Sequence, residues 1–393
     1  MPVSVAYVST GKLHLKYDGA EPRSVDCKFA HEVRERLLRV AQRNAWKTQG
    51  TGAQFMYGRL MNSRLLWGQD AEDENGIVMH VHSLTRGPAP GQILFALGGH
   101  GVNGLFSFDP ETLDERRVVH GADHLYQDLA LSRQHGLVAC STSKRDGSSA
   151  IAVMNPDATD HAELTEGDSL DFNQSWVAGQ RRELVFASSG IARDNDGMPR
   201  GYAPSVIQRL DLDNAQLDVA AEEKGADLIR PMVTADGTLY YIRRPHVANE
   251  KPSFWRANLD FLLFPVRLLF ALMNFLNFFT TRYSGKQLTT AGNTKQRGAD
   301  VKRMMAWDNL IRAREETKKE KDGDPESLVP SNWHLVRQRG MKTETVAKGV
   351  SSYDVSEDGS IVYTNGGAIY QLAVDGTRTK VCDGQDISHV IAI

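Results

Sequence analysis

Between residues 359 and 374 two short runs rich in β-branched and aromatic residues, Ser360-Ile361-Val362-Tyr363 and Ala368 to Val374, flank Thr364-Asn365-Gly366-Gly367 and are closed by Asp375-Gly376. Ile369 or Tyr370, Leu372 and Val374 fall close to every-other-residue spacing, the period of a strand. Asn-Gly-Gly supplies the positive backbone angles of a tight hairpin. The same plan recurs at 3–25, 92–119, 136–165 and 184–219, and again from 236, where it breaks off and resumes at 333. A unit this small cannot bury its apolar side chains alone, so its copies must stack on one another.

Setting aside two stretches of different composition, 29–75 and 246–332, leaves about 43 residues per copy, the size of a four-stranded propeller blade. The expected fold is all-β, a six-bladed β-propeller closed by the C-terminal strand, with an inserted α-helical arm. Residues 386–393 read as a lone strand with no partner after it, whereas the first copy lacks an inner strand, so the last strand completes the first blade. Blade 1 is then 1–28 plus 386–393, and 29–75 is a helical and irregular insertion. Residues 76–245 hold blades 2 to 4 and the first part of blade 5. The arm occupies 246–332, and 333–385 supplies the rest of blade 5 and blade 6. Within 29–46, Phe29, Val33, Leu37, Val40 and Ala41 fall at helical spacing, which predicts a helix over an edge or mouth of the ring.

The segments TADGTLYY, SEDGSIVY, RLDLDN and LAVDGT place Asp-Gly before a strand, or Asp-x-Asp or Asp-Gly after one. In this the chain resembles the repeats of TolB-like and WD40-like bacterial propellers, over most of its length outside 29–75 and 246–332. Its one Trp-Asp pair, Trp307-Asp308, lies in the interruption and is not a blade signature. The resemblance implies the propeller fold and leaves function open, because one fold hosts many roles. Many TolB-like propellers are periplasmic, but MPVSVAYVSTGKLHLKYDG has no basic start, apolar core or small-residue cleavage site. The expected location is therefore cytoplasmic, peripheral at the inner membrane.

With 46 Lys and Arg against 49 Asp and Glu the formal charge is −3, so no nucleic-acid partner is expected. Three cysteines, Cys27, Cys140 and Cys382, are odd in number and far apart, which indicates neither a disulfide framework nor a zinc site. There is no G-x-S-x-G, H-E-x-x-H or G-x-x-x-x-G-K-[ST] pattern. The glycine-rich GGHGVNG at 98–104 sits between two strands and reads as a turn.

Segments between the copies share a pattern: HGADHLYQD, EGDSLDFNQ, KGADLIRP, KGVSSYD and DGQDISH. Running from an outer strand toward a central channel, they would bring Asp123, His124, Asp128, Asp168, Asp171, Asp227, Arg230, Asp354, Asp386 and His389 toward one opening. Asp at strand ends bonds its own backbone, and its recurrence in every copy favours that structural role. The alternative is a metal-dependent hydrolase or lactonase in which Asp123, His124, Asp168, Asp227, Asp386 and His389 hold calcium or zinc. Otherwise no cofactor is expected.

Residues 261–279, FLLFPVRLLFALMNFLNFF, form the most hydrophobic stretch of the chain, and 282–321 carries eleven Lys or Arg against five Asp or Glu. Both flanking strands belong to one blade and must lie on one side of any bilayer, so a single crossing is excluded by topology. Arg267, Ala271, Asn274 and Asn277 fall on one narrow stripe of a helix, which suits a helix lying in the interface. Phe261, Leu262, Leu263, Phe264, Leu268, Leu269, Phe270, Phe275, Phe278 and Phe279 are the expected inserting residues. Arg282, Lys286, Lys295, Arg297, Lys302 and Arg303 are the expected lipid-facing charges. The other occupants for this apolar surface are a protein partner, a second copy of the arm, and the propeller wall of the same chain. Together these features predict a non-enzymatic scaffold that docks on a membrane surface or membrane complex and binds a protein through the face bearing the inter-blade connections and the 190–204 loop.

Overall fold

The structure, a computed structural model, describes residues 3–36, 39, 79–99, 101–121, 125–144, 146–179, 181–195, 197, 199–246 and 327–393. Contacts gather Met1–Arg34, Ile77–Ala248 and Asn309–Ile393 into one compact unit, which holds all the described strands. The second unit, Glu35–Gly76 with Asn249–Asp308, falls almost wholly outside the described residues.

Consecutive strands pair antiparallel, four at a time. The amino-terminal group is β1 (Val5–Ser9), β2 (Lys12–Lys16) and β3 (Arg23–Val25). Next come β4 (His80–Arg86), β5 (Ile93–Gly99), β6 (Val102–Asp109) and β7 (Asp114–Gly121). The third group is β8 (Tyr126–Ser132), β9 (Leu137–Ser143), β10 (Ser149–Met154) and β11 (Ala162–Glu163). The fourth has β12 (Ser169–Trp176), β13 (Glu183–Arg193), a side hairpin β14 (Pro199–Tyr202), β15 (Val206–Asp211) and β16 (Gln216–Ala221). One parallel pairing, Ser149 opposite Leu170, joins the third and fourth groups into a nine-stranded sheet. The fifth group is β17 (Ala226–Val233), β18 (Leu239–Pro245), β19 (His334–Arg339) and β20 (Lys342–Lys348). The sixth is β21 (Ser352–Val355), β22 (Ile361–Thr364), β23 (Ala368–Leu372) and β24 (Arg378–Asp383). Last, β25 (Ile387–Ala392) pairs with β1, Val5 opposite Ala392 and Tyr7 opposite Val390.

The apolar core lies between these groups. Leu94 and Leu105 pack on Leu129 and Val138, Ile151 on Leu184 and Phe186, and Val185 and Ile207 on Leu228 and Val336. Further round, Ile242 and Leu335 meet Val355 and Tyr363, and Val362 and Ile369 meet Val5 and Tyr7. A strand with a neighbouring sheet on each face buries both its faces, which is why β5 reads Ile-Leu-Phe-Ala-Leu as a continuous apolar run rather than an alternation. Each Ile, Leu or Phe of such a run, fully buried, contributes about 1.5–3 kcal/mol.

The recurrent Asp-Gly-Ser/Thr has a local explanation. Asp146, Asp358 and Asp375 accept the backbone N–H two residues on, at 2.8–3.0 Å, and Asp146 and Asp358 also take the Ser148 and Ser360 hydroxyls at 2.7 Å. Asp236 does the same with Thr238 and adds Thr234 at 2.6 Å. The glycine at the centre of each turn has φ between 78° and 87°, where a side chain would strain the backbone. These are side-chain-closed turns at strand ends, as the structural reading of the repeat expects.

A helix begins at residue 28, and the Glu115 carboxylate on β7 accepts the Lys28 and Phe29 N–H groups at 2.8 and 3.2 Å, capping its first turn. Phe29 and Val33 are buried, and Phe29 lies 4.9 Å from the Phe106 ring. Leu37, Val40 and Ala41 lie outside the described residues, as do 247–326, the greater part of the expected 246–332 arm; of its described end, Val329 is buried in the core beside Trp333. Among the described residues no helix is long and apolar enough to cross a membrane.

Candidate functional site

Among the described strands, β4, β8, β12, β17, β21 and β25 each contribute residues to the lining of a cavity of about 1050 Å³. Bonds join every neighbouring pair. Leu129 N–H donates to Ser83 Oγ at 2.7 Å, and Asn173 Nδ2 donates to Asp128 Oδ1 at 2.9 Å. Ala178 N–H reaches Val233 O at 3.3 Å, and the Tyr353 hydroxyl donates to Arg230 O at 2.6 Å. Val390 N–H meets Ser352 Oγ at 3.3 Å, and Arg86 Nε meets Ala392 O at 3.1 Å.

The sequence reading treated HGADHLYQD, EGDSLDFNQ and KGADLIRP as connections. Each already enters an inner strand, β8 from Tyr126, β12 from Ser169 and β17 from Ala226. The alternation of these strands is broken because each carries a bulge: the ladder skips between Gln127 and Ala130, between Phe172 and Ser175, and between Ile229 and Met232. The first residue of each bulge, Asp128, Asn173 and Arg230, holds φ near +50°. Arg230 does so immediately before Pro231, where the ring restricts the preceding residue further. Left-handed non-glycine residues cost about 1–3 kcal/mol each and cluster at functional sites. Here all three line the cavity.

Arg230 crosses the cavity floor. Its Nη2 lies 3.3 Å from Ser388 O and 3.2 Å from His389 Nε2. Arginine only donates, so His389 Nε2 accepts, and the ring proton sits on Nδ1, 3.2 Å from Ser388 Oγ. Burial, with help from Arg230 and His82, pushes His389 well below the ordinary imidazole range. Burial also lowers Arg230, against the pull of the Asp128 carboxylate. His82, at the bulge of β4, is pushed down to about 4 by burial and by His80. Asp128 accepts Asn173 N–H at 3.0 Å, Asn173 Nδ2, and Ser141 Oγ at 3.4 Å. Gln174, 4% exposed, directs Nε2 at the Gln127 and Asp128 carbonyls, which leaves Oε1 buried without a partner; Ser175 Oγ is likewise unpartnered.

At the wall and mouth, charges pair: Arg86 with Asp354 at 2.6 Å, Arg337 with Glu344 at 2.6 Å, and Arg339 with Asp236 at 3.4 Å. Asp354 is 2% exposed; burial raises it, while Arg86 and Ala392 N–H oppose the rise.

Of the residues expected at one opening, Asp128, Arg230, Asp354 and His389 do line this cavity. Others are bound elsewhere: Asp168 to Arg193 at 2.6 Å, Asp171 to Ser188 at 2.7 Å, and Asp227 to Ser205 N–H, Arg244 and His246 at 2.7–3.2 Å. Asp386 is not among the cavity-lining residues. Among the described residues no three of His, Cys, Asp and Glu come together as a metal site. Asp123 and His124 lie outside the described residues, as do all the arm residues from Phe261 to Arg303. Gln174, Ser175, Arg86 and Tyr353 carry no sequence motif; the one signal for the first two was their place beside Asn173 in a broken alternation.

The cavity takes the carboxyl-terminal part of each inner strand, for example Asn173 to Ala178 and Arg230 to Asp236. The β13–β14 hairpin sits at the other end, since Ser169 pairs with Gly190. Partner recognition was expected on the face of that hairpin and the connections, so the cavity mouth lies opposite to it.

Packed four-stranded groups around a strand-lined cavity define a β-propeller. No protein-family model and no curated protein matches the sequence. Among solved structures, TolB from Acinetobacter baumannii is similar at a TM-score of 0.50 and 12% identity, over 99% of this chain and 65% of TolB. A chain of a nidogen/laminin complex is similar at 0.49 and 7%, over 98% of this chain and 97% of its own. The chain has the fold of a TolB-like β-propeller, and it spans about two thirds of the Acinetobacter TolB.

Proposed function

We propose that this protein is a six-bladed propeller, its ring closed by β25, that acts as a non-enzymatic scaffold. In this reading the arm of residues 246–332 docks it on a membrane surface or membrane complex, and the cavity rim is offered to a protein partner. The observation that carries the reading is the two-sidedness of the strand unit. β18 ends at Pro245, opposite Ala226 at the start of β17, and β19 begins at His334, opposite Arg243. The chain therefore leaves and re-enters at the amino-terminal ends of the inner strands, while the cavity takes their carboxyl-terminal ends. The cavity therefore takes the strand ends remote from the points where the arm joins the strands, and in this reading its rim is what a partner meets. The unbroken succession of six inner strands, with Arg86 bonding across to Ala392, supports the count and the closure.

Liposome flotation tests the reading. The intact protein is expected to float with anionic vesicles at low salt and less at high salt. A version with 256–321 replaced by a Gly/Ser linker is expected to stay at the bottom. Flotation of neither protein, or equal flotation of both, contradicts docking through the arm.

A further inference from the structure

We infer that the cavity floor is a binding site for a free α-amino acid, its carboxylate on Arg230 and its ammonium on Asp128 and Gln174. The inference goes beyond the scaffold reading, because it concerns the floor beneath the rim, and it stands or falls independently of flotation.

Three observations lead to it. The first is a cation and an anion that share the floor without touching. Asp128 and Arg230 both line the cavity and feel one another's charge, yet among the described residues no ion pair or hydrogen bond joins them. Of the Arg230 donors only Nη2 has partners; Nε and Nη1 have none among the described residues. Arg230 is half-buried and its Nε and Nη1 are not among the sealed polar atoms, so a ligand in the cavity can reach them. Planar, two-pronged pairing with a carboxylate is what the guanidinium geometry suits.

The second is the orphaned acceptor. Gln174 lines the cavity and is 4% exposed, and because its Nε2 is committed to two carbonyls, Oε1 is the atom that lacks a donor. Ser175 Oγ beside it is also unpartnered. Asp128 has used three acceptor positions on Asn173 and Ser141, of roughly four a carboxylate offers. An ammonium has three N–H donors, and these acceptors match it.

The third is charge balance with shape. One cation and one anion make the floor neutral, so a simple anion meets Asp128 and a simple cation meets Arg230; a zwitterion satisfies both. Above the floor the walls include Leu129, Met232, Ile361 and Leu372, which suits an apolar side chain such as that of leucine or phenylalanine. Asp128 and Arg230 each sit at a left-handed backbone position of a bulge on their own inner strand.

The test uses the full chain and two complementary analogues, with binding read by calorimetry and by shift of the melting temperature. Leucine and phenylalanine are the probes; leucinamide lacks the carboxylate and N-acetylleucine lacks the ammonium. The free amino acids are expected to bind and raise the melting temperature, and each analogue to bind about tenfold more weakly or worse, the loss of one charge-assisted contact. Arg230→Gln and Asp128→Asn should each abolish the preference for the free amino acid. If a variant does not fold, the comparison of analogues on the unaltered protein decides alone. Analogues that bind as well as leucine overturn the inference. So does the failure of both amino acids to bind at millimolar concentration, which would assign the orphaned atoms to water.

Discussion

His82 is a buried imidazole with neither ring nitrogen partnered, and burial holds its pKa at about 4 against an ordinary 6.5. The unfolded chain therefore takes up this proton first as pH falls. Stability from His82 is intact above about 6.5, declines between 6.5 and 4, and levels off below; His389 acts in the same direction. A second loss follows at lower pH. The Thr234 and Thr238 hydroxyls and the Thr238 N–H hold Asp236 at about 2, below the usual 3.8, and Asp146, Asp358 and Asp375 are lowered by similar bonds. Their contribution is present above about 4 and fades toward 2. Urea denaturation across pH should show both steps, and His82→Leu should flatten the upper one while costing little at pH 8; an unchanged slope between 6.5 and 4 would assign that step elsewhere. At this scale the sequence was half legible. Asp128, Arg230, Asp354 and His389 stood out because they recur in segments expected to run toward a channel, although the same recurrence also fits a role in closing turns. Asp168 and Asp227 looked the same but are consumed by Arg193, Arg244 and His246, partners distant in sequence.

Hairpins were the most legible elements. Ile361–Thr364 and Ala368–Leu372 fall on either side of the Asn365-Gly366-Gly367 turn that the residues announce. The inner strands were harder, because a bulge at Asp128, Asn173 or Arg230 destroys the alternation by which a strand is recognised. Residues 190–204 read as one long turn, yet β13 runs on to Arg193 and β14 pairs back with Ile191 opposite Tyr202. Gly197 and the polar residues around it mask a strand extension whose pairing is its main support. The helix at residue 28 was visible in Phe29 and Val33, but its cap was not, since Glu115 comes from another sheet. Glu115→Ala removes the acceptor for two N–H groups and should cost about 1 kcal/mol, read as a lower urea midpoint at unchanged slope. Unaltered stability would mean that water replaces the carboxylate at no cost.

For the whole molecule, the repeat of about four strands accounts for the packing of sheet on sheet, because each group buries its faces only against the next. The ring requires one more thing, a joint between the last group and the first. On the proposed closure β25 is that joint, with Ile387 and Val390 buried beside Val5 and Tyr7 and with Ala392 N–H bonded to Asp354 at 2.8 Å. Without this strand β1 loses a partner and the cavity loses one wall. The most direct measurement is therefore thermal unfolding of a chain ending before Ile387, alone and with a synthetic peptide of residues 385–393. The ring account predicts no cooperative transition for the truncated chain and its return when the peptide is added. A truncated chain that keeps the melting temperature of the intact protein would contradict the closure and, with it, the cavity on which the binding proposals rest.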